Sequence, residues 1–464
     1  MTWLSLASIG GLLLLVLGSS AGCRQPEAEP RFENLVLVTI DTLRADHLGS
    51  YGYPRPVSPF LDSLAANGVR FERTIASSSH TAPSHASIFT SQYPARHRVV
   101  RNGVRLEPTV PNMAGLLGTA DFDTAAFVAM GFLEGVTAGF DTVEARRGLP
   151  YKPAEVVVDT ALGWISVRPV DGRFFLWVHL YDVHNSDGDP AVPEKELQSM
   201  QADAAERGDE LIELLTEGHG IPATTLAADP DRHNRYDAQI AFVDENVQRL
   251  FEGVESQAAE ERTLWVITSD HGEGLGNHDY PGHSQYIYEE QLRVPLIVYG
   301  GQDWISGRVV DPMVRHVDLL PTVAELLAVP LDSAAMSLEG RSLVRLMESP
   351  QAEAGIDFAL SQRRPIDRRR RREGWEEGKV MSVQHRNYKY IFHSAGQDEL
   401  YDLESDPLET TNLVGQGLQV EKQLAAWLIR KHESMRATPL VGTPEEPRIE
   451  PEFVEELKAL GYLN

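Results

Sequence analysis

Leu35-Val36-Leu37-Val38-Thr39-Ile40 is apolar on both faces and closes on an acid, Asp41. A strand needs apolar residues on both faces only when both are covered, so this run reads as a central strand of a parallel sheet. The pattern returns at Thr124–Val128, Phe174–Val178, Thr263–Thr268 and Pro295–Val298. Helical patterns lie between. Phe60–Gly68 carries Leu61, Leu64 and Ala65 at helical spacing and stops on Asn67-Gly68, and Asp237–Phe251 puts Ile240, Val243, Val247 and Leu250 on one stripe. Strands alternating with helices predict an α/β fold: a doubly wound, mostly parallel sheet sandwiched by helices.

The chain has 464 residues and a formal charge of −26 at pH 7. That charge argues against nucleic acid as a partner, since both would be polyanions. An anionic substrate would need a local cationic or metal-bearing site. Residues 1–22 read as a signal peptide, with Leu12–Leu17 as a core too short to span a membrane. Small residues then end in Gly22-Cys23, the sole cysteine, which resembles a lipoprotein cleavage site; an ordinary signal peptide or an uncleaved anchor is the alternative. Residues 23–32 read as a tether. The expectation is an exported, cell-envelope protein held to the membrane by a lipid on Cys23, with no internal disulfide.

Three of the strand candidates end in groups that can do chemistry: Asp41, His179/Asp182/His184, and Asp270/His271. Ligand sites in open α/β sheets lie beyond the carboxyl ends of the strands. A fourth group comes from Ser79-His80-Thr81-Ala82-Pro83-Ser84-His85. Pro83 suits a first helical turn, which puts the Thr81 hydroxyl at a helix N-terminus, either as a plain cap or as a nucleophile beside an anion site. Asp41, Thr81, Asp270 and His271 together make a four-coordinate O/N set. It suits one divalent metal, Zn²⁺ or Mn²⁺ rather than Ca²⁺, and that ion would activate the hydroxyl.

Outside these groups, 185–234 is polar and reads as an irregular insertion or lid on a catalytic domain spanning 33–350. The basic run Arg363-Arg364 and Arg368–Arg372 falls in a loop over 351–378, either solvated or a substrate-facing rim. Tyr388–Phe392 and Leu400–Leu403 suggest a small antiparallel C-terminal subdomain within 379–464, which ends in a short amphipathic helix from Glu452 to Leu463.

Leu37–Gly49 resembles the first block of the sulfatase family in the alkaline phosphatase superfamily. Further blocks follow in the family's order. Thr81-Ala82-Pro83-Ser84-His85 falls at C/S-x-P-S-R, and Tyr93–His97 follows it. His179–His184 resembles the H-x-x-D-x-H block, and Ser269–Glu273 the second metal block. Gly282-His283-Ser284 with Tyr288–Ile297 resembles the block that completes the pocket, and Glu399–Leu403 with Asp406-Pro407 and Asn412-Leu413 a C-terminal signature.

The resemblance implies that His184 and His283 contact the transferred group or protonate the leaving oxygen. It also implies a catalytic role for His85 and substrate contacts from His97 and His179. Asp182 with His184 and His283 is the alternative seat of a second metal. Thr81 stands where sulfatases carry a formylglycine precursor, and Asp41-Thr42 and Asp270-His271 replace the usual Asp-Asp and Asp-Asn. This Asp, Thr, Asp, His set looks like the phosphate-handling relatives, so a phosphoester is favoured over a sulfate ester on chemical grounds. Arylsulfatase-like hydrolysis, phosphoryl transfer to an alcohol and an inactive glycan-binding pseudoenzyme are the alternatives. The implied substrate is an anionic small molecule, glycan or lipid headgroup.

Overall fold

A computed structural model describes residues 30–145, 151–169, 171–184, 192–257, 262–301, 304–333, 336–349, 358–364, 378–437, 448–460 and 463. At its centre is a sheet of β1 (Asn34–Ile40), β2 (Val69–Phe71), β3 (Asp123–Val128), β4 (Thr142–Ala145), β5 (Phe174–Leu180), β6 (Thr263–Ser269), β7 (Leu296–Tyr299) and β8 (Arg308–Val310). Their spatial order is β8-β2-β7-β6-β1-β5-β3-β4. β1 lies in the middle with every residue buried, as its two apolar faces require. It pairs in parallel with β5 and β6. Only β7 runs against its neighbours among the described strands of this sheet. The helices fall into two groups. Pro59–Asn67, Ala154–Ser166 and Glu194–Arg207 pack on the long Arg232–Glu255 helix, whereas Thr81–Thr90 packs with Met113–Gly118 and Leu319–Leu326. The fold is the mostly parallel α/β sheet that the sequence implies.

Register is what matters for chemistry. Ile40 sits level with Leu180 on one side and Ser269 on the other. Asp41 and Asp270 therefore leave the sheet at the same height on its carboxyl edge.

Two expectations change. The stretch 185–234, read as irregular, is helical over much of its described part, with Glu194–Arg207, Asp209–Glu213 and Ala223–Ala228. Its few apolar residues are spaced to bury Met200, Leu211 and Leu215, which suffices despite the polar composition. The C-terminal sheet begins earlier than 379, at Ala359–Gln362, and runs on through Val380–His385, Tyr388–His393 and Glu399–Asp402. A long helix, Gln419–Ala437, covers that sheet with Leu424, Leu428 and Met435. The signal segment, Cys23 and Arg368–Arg372 lie outside the described residues. No helix among the described residues is long and apolar enough to cross a membrane.

The small subdomain is fastened to the main one by buried charge. Lys389 is fully buried, with its ammonium 2.9 Å from Glu289 Oε1 and 2.9 Å from Glu409 Oε1. Lys389→Ala would strand two carboxylates, and we expect it to cost about 3–5 kcal/mol in denaturant unfolding. Adding Glu409→Gln to that variant should restore part of the loss.

A second fastening titrates. His278 donates from Nδ1 to Glu290 Oε1 at 3.1 Å and stacks on Tyr288 with ring centroids 3.7 Å apart. Burial opposes its charge, but the Glu290 carboxylate outweighs burial and the pKa rises to about 9. With the folded pKa above the unfolded one, this stabilisation is complete below about pH 6.5 and is lost as pH rises through about 9. His278→Asn should therefore lower the unfolding midpoint at pH 7, and the gap from wild type should narrow by pH 10.

Candidate active site

Thr81 is the first residue of the Thr81–Thr90 helix, entered from His80 in an extended conformation (φ −137°, ψ 139°). Every residue of this helix is buried. The Ala82 N–H donates to Asn102 Oδ1 at 2.9 Å, which fixes the helix start from outside. The Thr81 hydroxyl stands 3.4 Å from His271 Nε2. That nitrogen is 3.4 Å from Asp270 Oδ2 and 3.9 Å from Asp41 Oδ1.

These separations bear on a metal. Two donors on one tetrahedral zinc, each at about 2.1 Å, stand about 3.4 Å apart. Asp41, Asp270 and His271 are wholly buried and bring their ligand atoms within 4.8 Å of one another. Neither oxygen of Asp41 completes a hydrogen bond, nor does Oδ2 of Asp270. The other Asp270 oxygen is held in place by N–H groups, from Thr42 at 3.3 Å and from His271 at 2.9 Å. Burial pushes the Asp41 pKa up to about 7, against the pull of His271. Buried carboxylate oxygens without partners are what a cation would satisfy, and the donor set fits a divalent ion. The turn itself depends on Gly272, where a Cβ would lie 2.1 Å from the Glu290 carbonyl.

Beneath the donors, one hydroxyl orders three rings. Trp177 Nε1–H donates to Thr39 Oγ1 at 2.9 Å. His85 Nδ1 lies 2.8 Å from the Thr81 carbonyl, which can only accept, so that nitrogen carries the proton. Burial holds the His85 pKa down to about 3, so the ring is neutral and its Nε2 accepts from Thr39 Oγ1 at 3.0 Å. Thr39 has then given its one proton, and His179 Nδ1, 2.9 Å away, must donate to it. The remaining nitrogen of His179, Nε2, presents a lone pair 3.3 Å from Asp41 Oδ2. His179 thus faces Asp41 and the ion site, not substrate as expected. His85, expected as a catalytic residue, has both its nitrogens engaged below the donors, on the Thr81 carbonyl and Thr39.

Above the donors the pocket is lined by imidazoles. His271 and His283 are 4.7 Å apart between ring centroids, and His283 and His184 likewise 4.7 Å. His283 Nδ1 donates to Glu273 Oε2 at 3.0 Å, which sets its tautomer. Burial pushes His283 down to about 4, and burial with His283 and His271 keeps His184 well below its ordinary value. Sequence reasoning missed three contributors. Glu273 orients His283. His80, buried beside them, is depressed by burial and then by the nearby Arg364 charge. Arg364 also lowers His283 through its charge, whereas Arg363 is buried with its guanidinium on the Gln285 and Gly378 carbonyls. The signal was there in Arg363-Arg364, which reads equally well as a solvated loop.

Two expected residues stand elsewhere. His97 accepts the Val99 N–H at Nδ1 (3.1 Å) and pairs through Nε2 with Ser87 Oγ (3.1 Å), so both its nitrogens are engaged in locking a turn to the Thr81 helix. Asp182 accepts from the Ala154 backbone and the Tyr151 hydroxyl and keeps Oδ2 buried without a partner, and among the described residues it is not brought to ligand spacing with His184 and His283. Among the described residues, the groups with ligand spacing are Asp41/Asp270/His271 and a separate set, Asp46/His47/His219.

The family model of the sulfatases matches residues 33–329, and that of the N-sulphoglucosamine sulphohydrolase C-terminal region matches 276–437. The ulvan-active sulfatase of Formosa agariphila is 24% identical over 423 residues, covering 84% of this chain and 79% of that protein. The phosphonate monoester hydrolase of Agrobacterium radiobacter superposes with a TM-score of 0.64 at 21% identity, over 88% of this chain and 96% of its own. The protein BT4656, solved with D-glucosamine-2-N,6-O-disulfate, superposes at 0.68 with 18% identity, over 90% of this chain and 100% of its own.

Thr39→Val keeps the side-chain shape and removes the hydroxyl that the three rings share. We expect it to destabilise the fold by about 1–3 kcal/mol in denaturant unfolding. A titration of the folded variant should show weakened divalent-metal binding as His179 and His85 lose their fixed tautomers.

Proposed function

The chain belongs to the sulfatase family of the alkaline phosphatase superfamily, the hydrolases of sulfuric and phosphoric esters, and from that premise we propose that it cleaves an anionic phosphoester through a covalent ester on Thr81. The observation that carries this reading is the Thr81 hydroxyl 3.4 Å from His271 Nε2, at a helix N-terminus beside the Asp41/Asp270/His271 set. Asp41, Asp270, His271 and the Thr81 oxygen would hold one divalent ion, with His179 Nε2 as a further donor. When bound, that ion lowers the pKa of the hydroxyl and offsets the charge of the anion.

The remaining roles belong to the chain. The Thr81 hydroxyl loses its proton to solvent, and its Oγ1 attacks phosphorus in line as the bond to the leaving oxygen breaks. His184 and His283 bind the oxygens of the transferred group. Both are neutral in the empty pocket because burial depresses them, and an incoming anion favours their charged forms, so they gain protons as substrate binds. The charged His283 then gives its Nε2 proton to the leaving oxygen, its Nδ1 proton being held by Glu273. Water resolves the ester on Thr81, and His283, oriented by Glu273, takes its proton. Arg364 supplies local positive charge in a chain of net charge −26. An unmodified Thr cannot release sulfate by collapsing to an aldehyde, as a formylglycine hydrate can, which favours phosphorus. The second reading is a sulfated glycan, favoured by the ulvan-active sulfatase and the disulfated-glucosamine complex among the similar proteins. The proposal also keeps the chain in the cell envelope, tethered through a lipid on Cys23.

Aryl phosphate monoesters and diesters should be assayed beside an aryl sulfate, on metal-reconstituted protein without residues 1–23. We expect phosphoester turnover, its loss by a factor of at least about 10³ in Thr81→Ala, and its loss on chelation. Sulfate turnover alone would overturn the phosphoester assignment. Full activity in Thr81→Ala would overturn the nucleophile.

A further inference from the structure

We propose that Asp46, His47 and His219 form a second, structural zinc site, which fastens the helical insertion to the turn that follows β1. Their ligand atoms lie within 4.8 Å of one another. They come from two distant segments. Asp46 and His47 belong to the short Ala45–His47 helix just after Asp41, and His219 closes the turn Leu214–Gly218 of the insertion.

Hydrogen-bond direction fixes His47. Its Nδ1 lies 3.0 Å from Asp237 Oδ1. The other oxygen of Asp237 accepts from Arg55 Nη1 at 2.6 Å and from the Tyr53 hydroxyl at 2.7 Å, so this carboxylate is ionised and only accepts. His47 Nδ1 therefore carries the proton. The other ring nitrogen, Nε2, is buried and has no hydrogen-bond partner. A carboxylate that holds one imidazole nitrogen while the other faces a metal is the usual arrangement behind zinc-bound histidine.

His219 completes the geometry. Its Nδ1 is buried without a hydrogen bond and lies 3.3 Å from Asp46 Oδ2, close to the separation of about 3.4 Å expected for two donors on one tetrahedral zinc. The His47 and His219 rings are 5.1 Å apart between centroids and nearly perpendicular at 76°. Two imidazoles on one zinc at about 2.1 Å place their centroids about 5.2 Å apart. Asp46 is clamped by Arg44 from Nε (2.9 Å) and Nη2 (2.7 Å), as ligating carboxylates are by their neighbours. Its side chain is 38% exposed, which leaves a path for the ion and a fourth, water ligand. His233, buried and parallel to His47 at 6.2 Å, also has two nitrogens without partners. One imidazole-rich patch therefore holds four buried ring nitrogens without a hydrogen bond.

Zinc binding should be counted on folded wild type, Asp270→Asn and His219→Ala after dialysis against micromolar free zinc. Asp270→Asn impairs the active-site set and leaves the proposed site intact, so failure at one site is read apart from failure at the other. We expect Asp270→Asn to retain about one zinc per chain and to gain several degrees in melting temperature from it. His219→Ala should bind about one zinc fewer than wild type, and the double variant should show no zinc-dependent gain. A folded Asp270→Asn chain that takes up no zinc, or a His219→Ala chain that binds as much as wild type, would overturn the assignment. Circular dichroism checks that each variant is folded.

Discussion

Asp41 and Asp270 are buried side by side, and the neighbouring chain of residues is organised by that constraint. Two carboxylates removed from water repel each other and lose their hydration, a cost that only a cation or a full set of donors offsets. The protein supplies part of the set. Backbone N–H groups of Thr42 and His271 hold one oxygen of Asp270. To present its N–H, Thr42 takes a left-handed conformation at φ 55°, which a β-branched residue adopts only under strain. Tyr236 clamps that strained turn. Its hydroxyl donates to the Thr42 carbonyl at 2.8 Å and accepts the Arg44 N–H at 2.9 Å. A residue from the long helix thus secures the geometry of a strand end, and what the chain leaves unsatisfied is the place of an ion.

The same constraint explains the neutral rings. Six histidines around the two acids are depressed or held by burial: His80, His85, His179, His184, His283 and His316. A protonated imidazole here would neutralise a carboxylate and compete with a metal for it. Burial prevents this and keeps lone pairs available, with Thr39 deciding which nitrogen of His85 and His179 carries the proton. The resting site is thereby kept ready for a divalent cation and then for an anion.

The sheet was legible because a strand covered on both faces must be apolar throughout, and Leu35–Ile40, Phe174–Val178 and Thr263–Thr268 are. The acids were legible because they close those strands. What sequence could not show is direction. Pro295–Val298 has the composition of its parallel neighbours, yet the strand it marks runs against them, and composition carries no sign of direction. Nor does sequence separate one histidine from another. His97, His85 and His179 were equally plausible around substrate, and their fates rest on single hydroxyls, Ser87 and Thr39, that sit in helical or apolar runs and look like filler. The helices of 192–234 were hidden because a surface helix needs only Met200 or Leu211 to dock.

His85 occupies the position where the sulfatase pattern has arginine, and the consequences reach beyond one residue. A guanidinium there would carry a fixed charge into the site. The imidazole instead turns down, bonds the Thr81 carbonyl and Thr39, and stays neutral. Positive charge against an anion must then come from elsewhere, and Arg364 acts on His80 and His283 from the far end of the chain. Arg364 lies just past Ala359–Gln362, the first strand of the small subdomain's sheet, which is pinned to the main domain through Lys389, Glu289 and Glu409. Charge that a sulfatase-type motif would place on the Thr81 helix thus reaches His80 and His283 from the C-terminal subdomain, so the position of Arg364 depends on how that subdomain docks.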